Sequence, residues 1–203
     1  MAQASQTETD LNPRRAVILK QAIETFAREG YRNADVQVIA DQANVGKGTV
    51  YRNFASKEEL FNAATYDVLV RLEAYMFGAT EGIEDPVQIL FAFGSAHTRF
   101  FELNPSYLEI FVQNRAEFRG TVPERHKELH EQMIGRLVRI VERGIEQGQI
   151  EPADPRGIVM TMGTVLYGTI MFGCYVKDEY SLTKLGEQAL RSYLRGICVH
   201  QQK

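Results

Sequence analysis

Residues 35–60, DVQVIADQANVGKGTVYRNFASKEEL, spell two short helices joined by a tight turn. Val36, Ile39, Ala40 and Ala43 recur at i, i+3, i+4 and i+7, so the first helix buries one face and ends near Ala43. Asn44 tolerates the left-handed backbone that a sharp helix-to-helix turn needs, and Val45 supplies an apolar plug holding the pair at a steep angle. A second helix runs from Gly46 to about Asn53. Val50 and Phe54 point inward from it, leaving Lys47, Gly48, Thr49, Tyr51 and Arg52 on the outer face. Small, hydroxyl, aromatic and basic side chains in that arrangement suit a rod lying in a DNA groove. Gly46-Lys47-Gly48-Thr49 also suggests a nucleotide phosphate loop, but that loop needs Ser or Thr directly after the lysine, and a strand before it. Gly48 occupies the first place and no hydrophobic strand supplies the second.

Working outward, charge separates the two ends of the chain. Residues 12–57 hold eight Lys and Arg against four acids, a balance of +4, although the 203 residues together carry −3. A basic end on an acidic body fits a protein that presents one end to nucleic acid and holds the rest away. With 44% hydrophobic residues the chain can bury a real core. Cys174 and Cys198 both fall in apolar helical stretches, where a thiol acts as a small hydrophobe, so no disulfide scaffold is expected. The opening MAQASQTETDLNP is polar and acidic, unlike a secretory signal or a transit peptide. The expectation is a disordered arm over residues 1–12 on a cytoplasmic protein. Arg14 and Arg15 follow near the start of the first helix, either solvated or touching phosphate.

The region 17–60 resembles the TetR family of transcriptional regulators. Its motif parts are Ile18, Ala22, Phe26 and Gly30, then Val38-Ile39-Ala40, then Val45-x-Lys47-Gly48-Thr49-Val50-Tyr51-x-x-Phe54-x-x-Lys57-Glu58-Glu59-Leu60. One departure is visible: Asn44-Val45-Gly46 stands where the family has Gly-Val-Ser, and Gly46 has no hydroxyl to offer the backbone or a phosphate. The resemblance implies an all-α protein with an N-terminal three-helix helix-turn-helix DNA-binding domain, residues 13–56, and a C-terminal helical ligand-binding and dimerisation domain, residues 57–203.

Local signals set out the body. Ser56 can cap a helix opening Lys57-Glu58-Glu59, with acids at the positive end of the dipole, running to about Met76. Asp85-Pro86 opens another through Leu103, and Asn104-Pro105 ends that one and starts a shorter helix to about Phe118. After a loop at 120–123, a long amphipathic helix spans 124–147, with Leu129, Met133, Leu137, Ile140, Val141 and Ile145 on its inner stripe and Gly148 closing it. Asp154-Pro155 begins a helix without charge from Ile158 to Val176. Those 19 residues meet the length of a membrane span, but three threonines, three glycines and the lack of a second span favour a helix buried on all sides. By resemblance, this penultimate helix faces both the pocket and a partner subunit. The last helix, 182–199, carries Leu185, Ala189, Leu190, Tyr193, Leu194 and Ile197 on one side. The resemblance pairs helices of about 155–177 and 182–199 into a four-helix homodimer interface.

No catalytic arrangement emerges, so the protein is expected not to be an enzyme and to need no cofactor. His126 and His130 share a helix face at i, i+4 without an evident third metal ligand and read as solvated; His97 and His200 complete the set. Aromatic residues crowd two helices, Phe91, Phe93, His97, Phe100 and Phe101 on one and Tyr107 and Phe111 with Arg115 on the next. Such stripes fill cores, but on separate helices they can also enclose an apolar cavity in which His97 and Arg115 orient a ligand. The expected ligand set is Phe93, His97, Phe100, Phe111, Arg115 and Tyr167, and the expected DNA set is Lys47, Gly48, Thr49, Tyr51, Arg52 and Lys57. Lys47, Tyr51 and Lys57 would grip phosphates, Thr49 and Arg52 would reach base edges, and Gly48 would permit close approach. The resulting expectation is a repressor that binds a pseudo-palindromic operator in double-stranded DNA as a dimer and is released by a small apolar or amphipathic effector. The alternatives are a carrier or enzyme with a non-functional helical head, and an architectural DNA-binding protein without an effector.

Overall fold

The computed structural model describes residues 13–118, 122–176 and 180–199, with the side chains of 174–176 excepted. The expected arm at 1–12, part of the loop at 120–123, the Cys174 side chain and His200 lie outside the described residues. Those described form α-helices with no β-strand; a single bridge pairs Ile150 with Cys198. The helices are α1 Pro13–Asn33, α2 Val36–Gln42, α3 Lys47–Asn53, α4 Lys57–Gly78, α5 Pro86–Leu103, α6 Pro105–Glu117, α7 Glu124–Glu146, α8 Pro155–Val176 and α9 Leu182–Ile197. The chain divides into two compact units, one of Met1–Val70 with Pro105–Pro123 and the other of Arg71–Asn104 with Glu124–Lys203. Residues 57–70 of α4 and all of α6 therefore join the expected DNA-binding head.

In the first unit Ile18, Ala22 and Phe26 of α1, Ile39 and Ala40 of α2, and Leu60, Phe61 and Ala64 of α4 are fully buried. α1 is broken at Gly30, whose φ of 79° is cheap only without a Cβ. The break leaves backbone groups that need partners. One amide meets both: Gln113 of α6 donates from Nε2 to the Phe26 carbonyl at 3.0 Å and accepts the Tyr31 N–H on Oε1 at 3.1 Å. Phe26, Tyr31 and Phe61 close over the same place, with ring centroids 5.0 to 6.1 Å apart. Two helix starts here, those of α2 and α4, have side-chain caps. The Asp35 carboxylate accepts from the Gln37 N–H at 2.8 Å, and Ser56 Oγ accepts from the Glu59 N–H at 3.0 Å while Glu59 reaches back to the Ala55 N–H at 2.8 Å.

The second unit is built around α5. Leu90, Phe93 and Phe101 from α5 pack with Ile134, Leu137 and Val141 from α7, Met162, Leu166 and Ile170 from α8, and Leu190 and Leu194 from α9. Asp85 caps α5 by accepting the Gln88 N–H at 2.8 Å, and Asp154 caps α8 by accepting the Gly157 N–H at 2.9 Å. Two small residues let α9 lie close on α5: a Cβ at Gly94 would sit 2.7 Å from Leu190 Cδ1, and one at Gly186 would sit 2.5 Å from Thr98 Cγ2.

Three expectations for the body need correction. On α7 the inner stripe is His126, Ile134, Leu137, Val141 and Gly144, while Leu129, Met133, Ile140 and Ile145 are only half-buried. Both stripes share Leu137 and Val141; the difference is a small rotation about the axis, which places His126 in the interior at 5% exposure rather than in solvent. His130 does stay exposed. Among the described residues no helix is long and apolar enough to cross a membrane. Nor is α8 buried all round: Ile158, Val159, Met162, Leu166 and Ile170 face inward, and Met160, Gly163, Thr164, Tyr167, Gly168 and Phe172 line an exposed stripe.

Candidate DNA interface and effector face

α3 is a seven-residue rod held by two plugs, Val50 and Phe54, each 1% exposed. Its angle to α2 is set at the turn, where Asn44 takes φ 54° and the Val45 N–H donates to the Ala40 carbonyl at 2.9 Å. Gly46 caps the rod in extended conformation with no side-chain bond, as a residue without a hydroxyl must. Lys47, Gly48, Tyr51 and Arg52 are exposed, and Thr49 is half-buried beside them.

The six expected DNA residues do not form one uniform set. Lys47 Nζ lies 3.5 Å from Asp35 Oδ1. That carboxyl is held below the usual range by the Gln37 N–H it accepts, and further by the charges of Lys47 and Lys57. Arg52 Nη2 donates to Thr49 Oγ1 at 2.9 Å, so the two expected base readers are hydrogen-bonded to each other. Lys57 stands apart. Its ammonium donates to the Arg32 carbonyl at 3.0 Å and lies 5.2 Å from the Tyr31 ring centroid, at the C-terminal end of α1. Arg15 supports α3 from behind, donating to the Asn53 carbonyl at 2.8 Å with its guanidinium 4.2 Å from the Phe54 ring. No local pattern announces that role, because Arg15 and Asn53 are 38 positions apart. Asp35 was missed as a partner for Lys47, although its place before Val36 marks it as a cap.

Of the expected ligand residues, Phe93, His97, Phe100 and Tyr167 belong to the second unit, whereas Phe111 and Arg115 belong to the first. Phe93, His97 and Phe100 sit at i, i+4 and i+7 on α5. Phe93 and Phe100 are buried, with Phe77 and Tyr75 against them at 5.0 and 5.6 Å between centroids. The His97 ring stands edge-on to Phe101 at 5.2 Å, and its Nδ1 is shielded from solvent with no hydrogen-bond partner among the described residues. Burial pushes its pKa down to about 4, so the ring is neutral at neutral pH. Tyr167 lies on the exposed stripe of α8, Phe111 is half-buried, and Arg115 is exposed. A shallow groove of about 400 Å³ between α5 and α9, lined by Val87, Phe91, Arg191 and Leu194, includes none of the six. Among the described residues no three His, Cys, Asp or Glu side chains gather to hold a metal.

A basic helix-turn-helix module followed by a helical body defines a DNA-binding regulator. Residues 18–64 match the family model for bacterial regulatory proteins of the tetR family, and residues 84–171 match a tetracyclin repressor-like C-terminal domain. The chain belongs to the TetR family and is a transcriptional regulator of that type. It is 29% identical to the uncharacterized HTH-type transcriptional regulator YhgD of Bacillus subtilis, over 78% of this chain and 83% of that one. The fatty acid metabolism regulator protein of B. subtilis is 26% identical over 91% of this chain and 96% of its own. The structure of FadR from B. subtilis in complex with stearoyl-CoA superposes with a TM-score of 0.77 at 22% identity, covering 90% of this chain and 98% of that one.

Proposed function

We propose that this regulator is a dimeric repressor whose paired α3 helices enter successive major grooves of a pseudo-palindromic operator, about 34 to 36 Å apart. The observation that carries the reading is the exposed row Lys47, Gly48, Tyr51 and Arg52 on a rod fixed from beneath by Val50 and Phe54. Lys47 and Tyr51 take phosphates, Thr49 and Arg52 face base edges, and Gly48 lets the rod approach. Lys57 would leave the Arg32 carbonyl to reach a phosphate. The dimer uses α8 and α9, since the stripe Met160, Gly163, Tyr167, Gly168 and Phe172 is apolar or small and faces solvent in the single chain.

The effector is a small, largely apolar molecule seated on the α5 face of Phe93, His97 and Phe100, where a neutral imidazole provides one hydrogen bond. Tyr167 remains a candidate from α8 of the same unit, and Phe111 and Arg115, which belong to the first unit, are not assigned to this face. The effector releases DNA by binding more tightly to a conformation that holds the two heads at the wrong spacing, with α4, which contributes to both units, as the lever. A fatty-acid relative makes long-chain acyl compounds the first to try. The test is a gel shift of the full chain on the DNA upstream of its own gene, with and without stearoyl-CoA, palmitate and decanol. Specific retardation relieved by one of them supports the proposal; no specific retardation refutes it.

A further inference from the structure

We propose that Arg52 reads a guanine in each half-site and that Thr49 is the residue that positions it. This rests on the reading above that α3 lies in the major groove. Thr49 and Arg52 are i, i+3 neighbours, and Gly48 is i−4 from Arg52, so all three share one face. The bond from Arg52 Nη2 to Thr49 Oγ1 folds the guanidinium back over the first turn of α3. That is the end of a recognition helix whose residues meet base edges. The space there is open, since a Cβ built on Gly48 would meet nothing within 4 Å.

The neighbouring cations are engaged differently. Lys47 faces the Asp35 carboxylate, Arg32 pairs with Glu117 at 3.0 Å, Arg28 pairs with Glu29 at 2.8 Å, and Lys57 donates to a carbonyl. Arg52 is bound to an alcohol, which orients its charge without neutralising it. Donor geometry then selects the base. A guanidinium has five N–H donors, and the two protons of Nη2 lie on different edges of its plane. Whichever proton Thr49 takes, one complete edge with two parallel donors remains. In the major groove guanine offers two adjacent acceptors, O6 and N7, whereas adenine sets a donor beside its N7 and cytosine presents a donor. A two-donor edge therefore pairs fully with guanine alone. Thr49 suits the positioning task because its hydroxyl oxygen offers an acceptor one turn before Arg52.

The test is selection of binding sites from randomised duplex DNA by the full chain, at one fixed salt concentration, for the parent and for Arg52→Ala, Thr49→Val and Thr49→Ser. The parent should enrich a palindrome with guanine at one position per half-site. Arg52→Ala should lose that guanine while keeping the other positions, and should bind the parental site on the order of tenfold more weakly. Thr49→Val keeps the branched shape without an acceptor; it should weaken the guanine preference severalfold, and Thr49→Ser, which returns the acceptor, should restore it. Replacing that guanine by 7-deazaguanine should weaken the parent but not Arg52→Ala. Retention of the guanine by Arg52→Ala, or a Thr49→Val change confined to a different base position, overturns the assignment and leaves the regulator reading standing. A parental pool with no enriched sequence defeats both.

Discussion

At the residue scale, the position that isolates DNA contact from folding is Gly48. Its Cβ site is open and its backbone is helical, so Gly48→Ala should leave the protein as stable or more so, by up to about 1 kcal/mol from helix propensity. Operator binding should nevertheless fall, because in the proposed complex the added methyl would occupy the gap where the rod meets the groove. A thermal melt and an operator titration on the same variant read the two effects separately; undiminished binding would remove Gly48 from the contact set. Lys47→Ala should weaken binding to specific and nonspecific DNA alike and reduce the magnitude of the salt slope by about one, measured by titration across ionic strengths. His97 supplies a pH dependence. Its folded pKa of about 4 lies below the ordinary value of 6.5, so between those limits the unfolded chain binds a proton that the native chain does not. The corresponding stability is complete above pH 6.5 and is lost as pH falls toward 4, an effect on the order of 3 kcal/mol. His97→Phe should flatten that part of a denaturation series relative to the parent.

At the element scale, turns and contacts carry the arrangement. Asn44 holds φ 54° between α2 and α3, so Asn44→Gly should be tolerated, whereas Asn44→Val, a β-branched residue forced left-handed, should cost about 1 to 3 kcal/mol in chemical denaturation. Between α5 and α9, Gly186→Ala would place a methyl 2.5 Å from Thr98 Cγ2 and 2.9 Å from its Cβ, and the Cβ is fixed to the α5 backbone. About 1 to 3 kcal/mol should be lost, and Thr98→Ala in the same chain should recover part of it. The helix-turn-helix was legible because its signals are local: the Val50 and Phe54 spacing, the left-handed Asn44 and the Ser56 cap all act within a few residues. Asp-Pro pairs gave the starts of α5 and α8 for the same reason. What escaped is held across long separations. Gln113 reaches Phe26 and Tyr31 over 87 and 82 positions, and Thr98 meets Gly186, so nothing nearby in sequence announces either. The α7 stripe was misplaced because its apolar and half-apolar positions adjoin, and only the packing against α8 and α5 selects the true face. Absence of charge marked α8 as unusual but could not say which side stays open.

At the scale of the whole molecule, the proposed dimerisation, operator binding and release by an effector would form one linked equilibrium. The stripe on α8 should close in the dimer, so Phe172→Glu or Tyr167→Glu would bury a charge against its twin and shift sedimentation toward the monomer. Operator affinity should fall with it, since one head gains little without the second. Phe172 lies in the unit that lacks α3, which makes that loss a consequence of assembly and not of a damaged contact. Fluorescence anisotropy of the full chain on a labelled duplex from upstream of its own gene, read in parallel with Gly48→Ala and Arg52→Ala, probes the whole scheme at once. Saturable binding of two protomers per pseudo-palindrome, weakened in Gly48→Ala and weakened on the order of tenfold in Arg52→Ala, with no fall in melting temperature in either, is the expected result. Binding that ignores sequence, or specific binding of undiminished affinity in both variants, would contradict an operator read by α3.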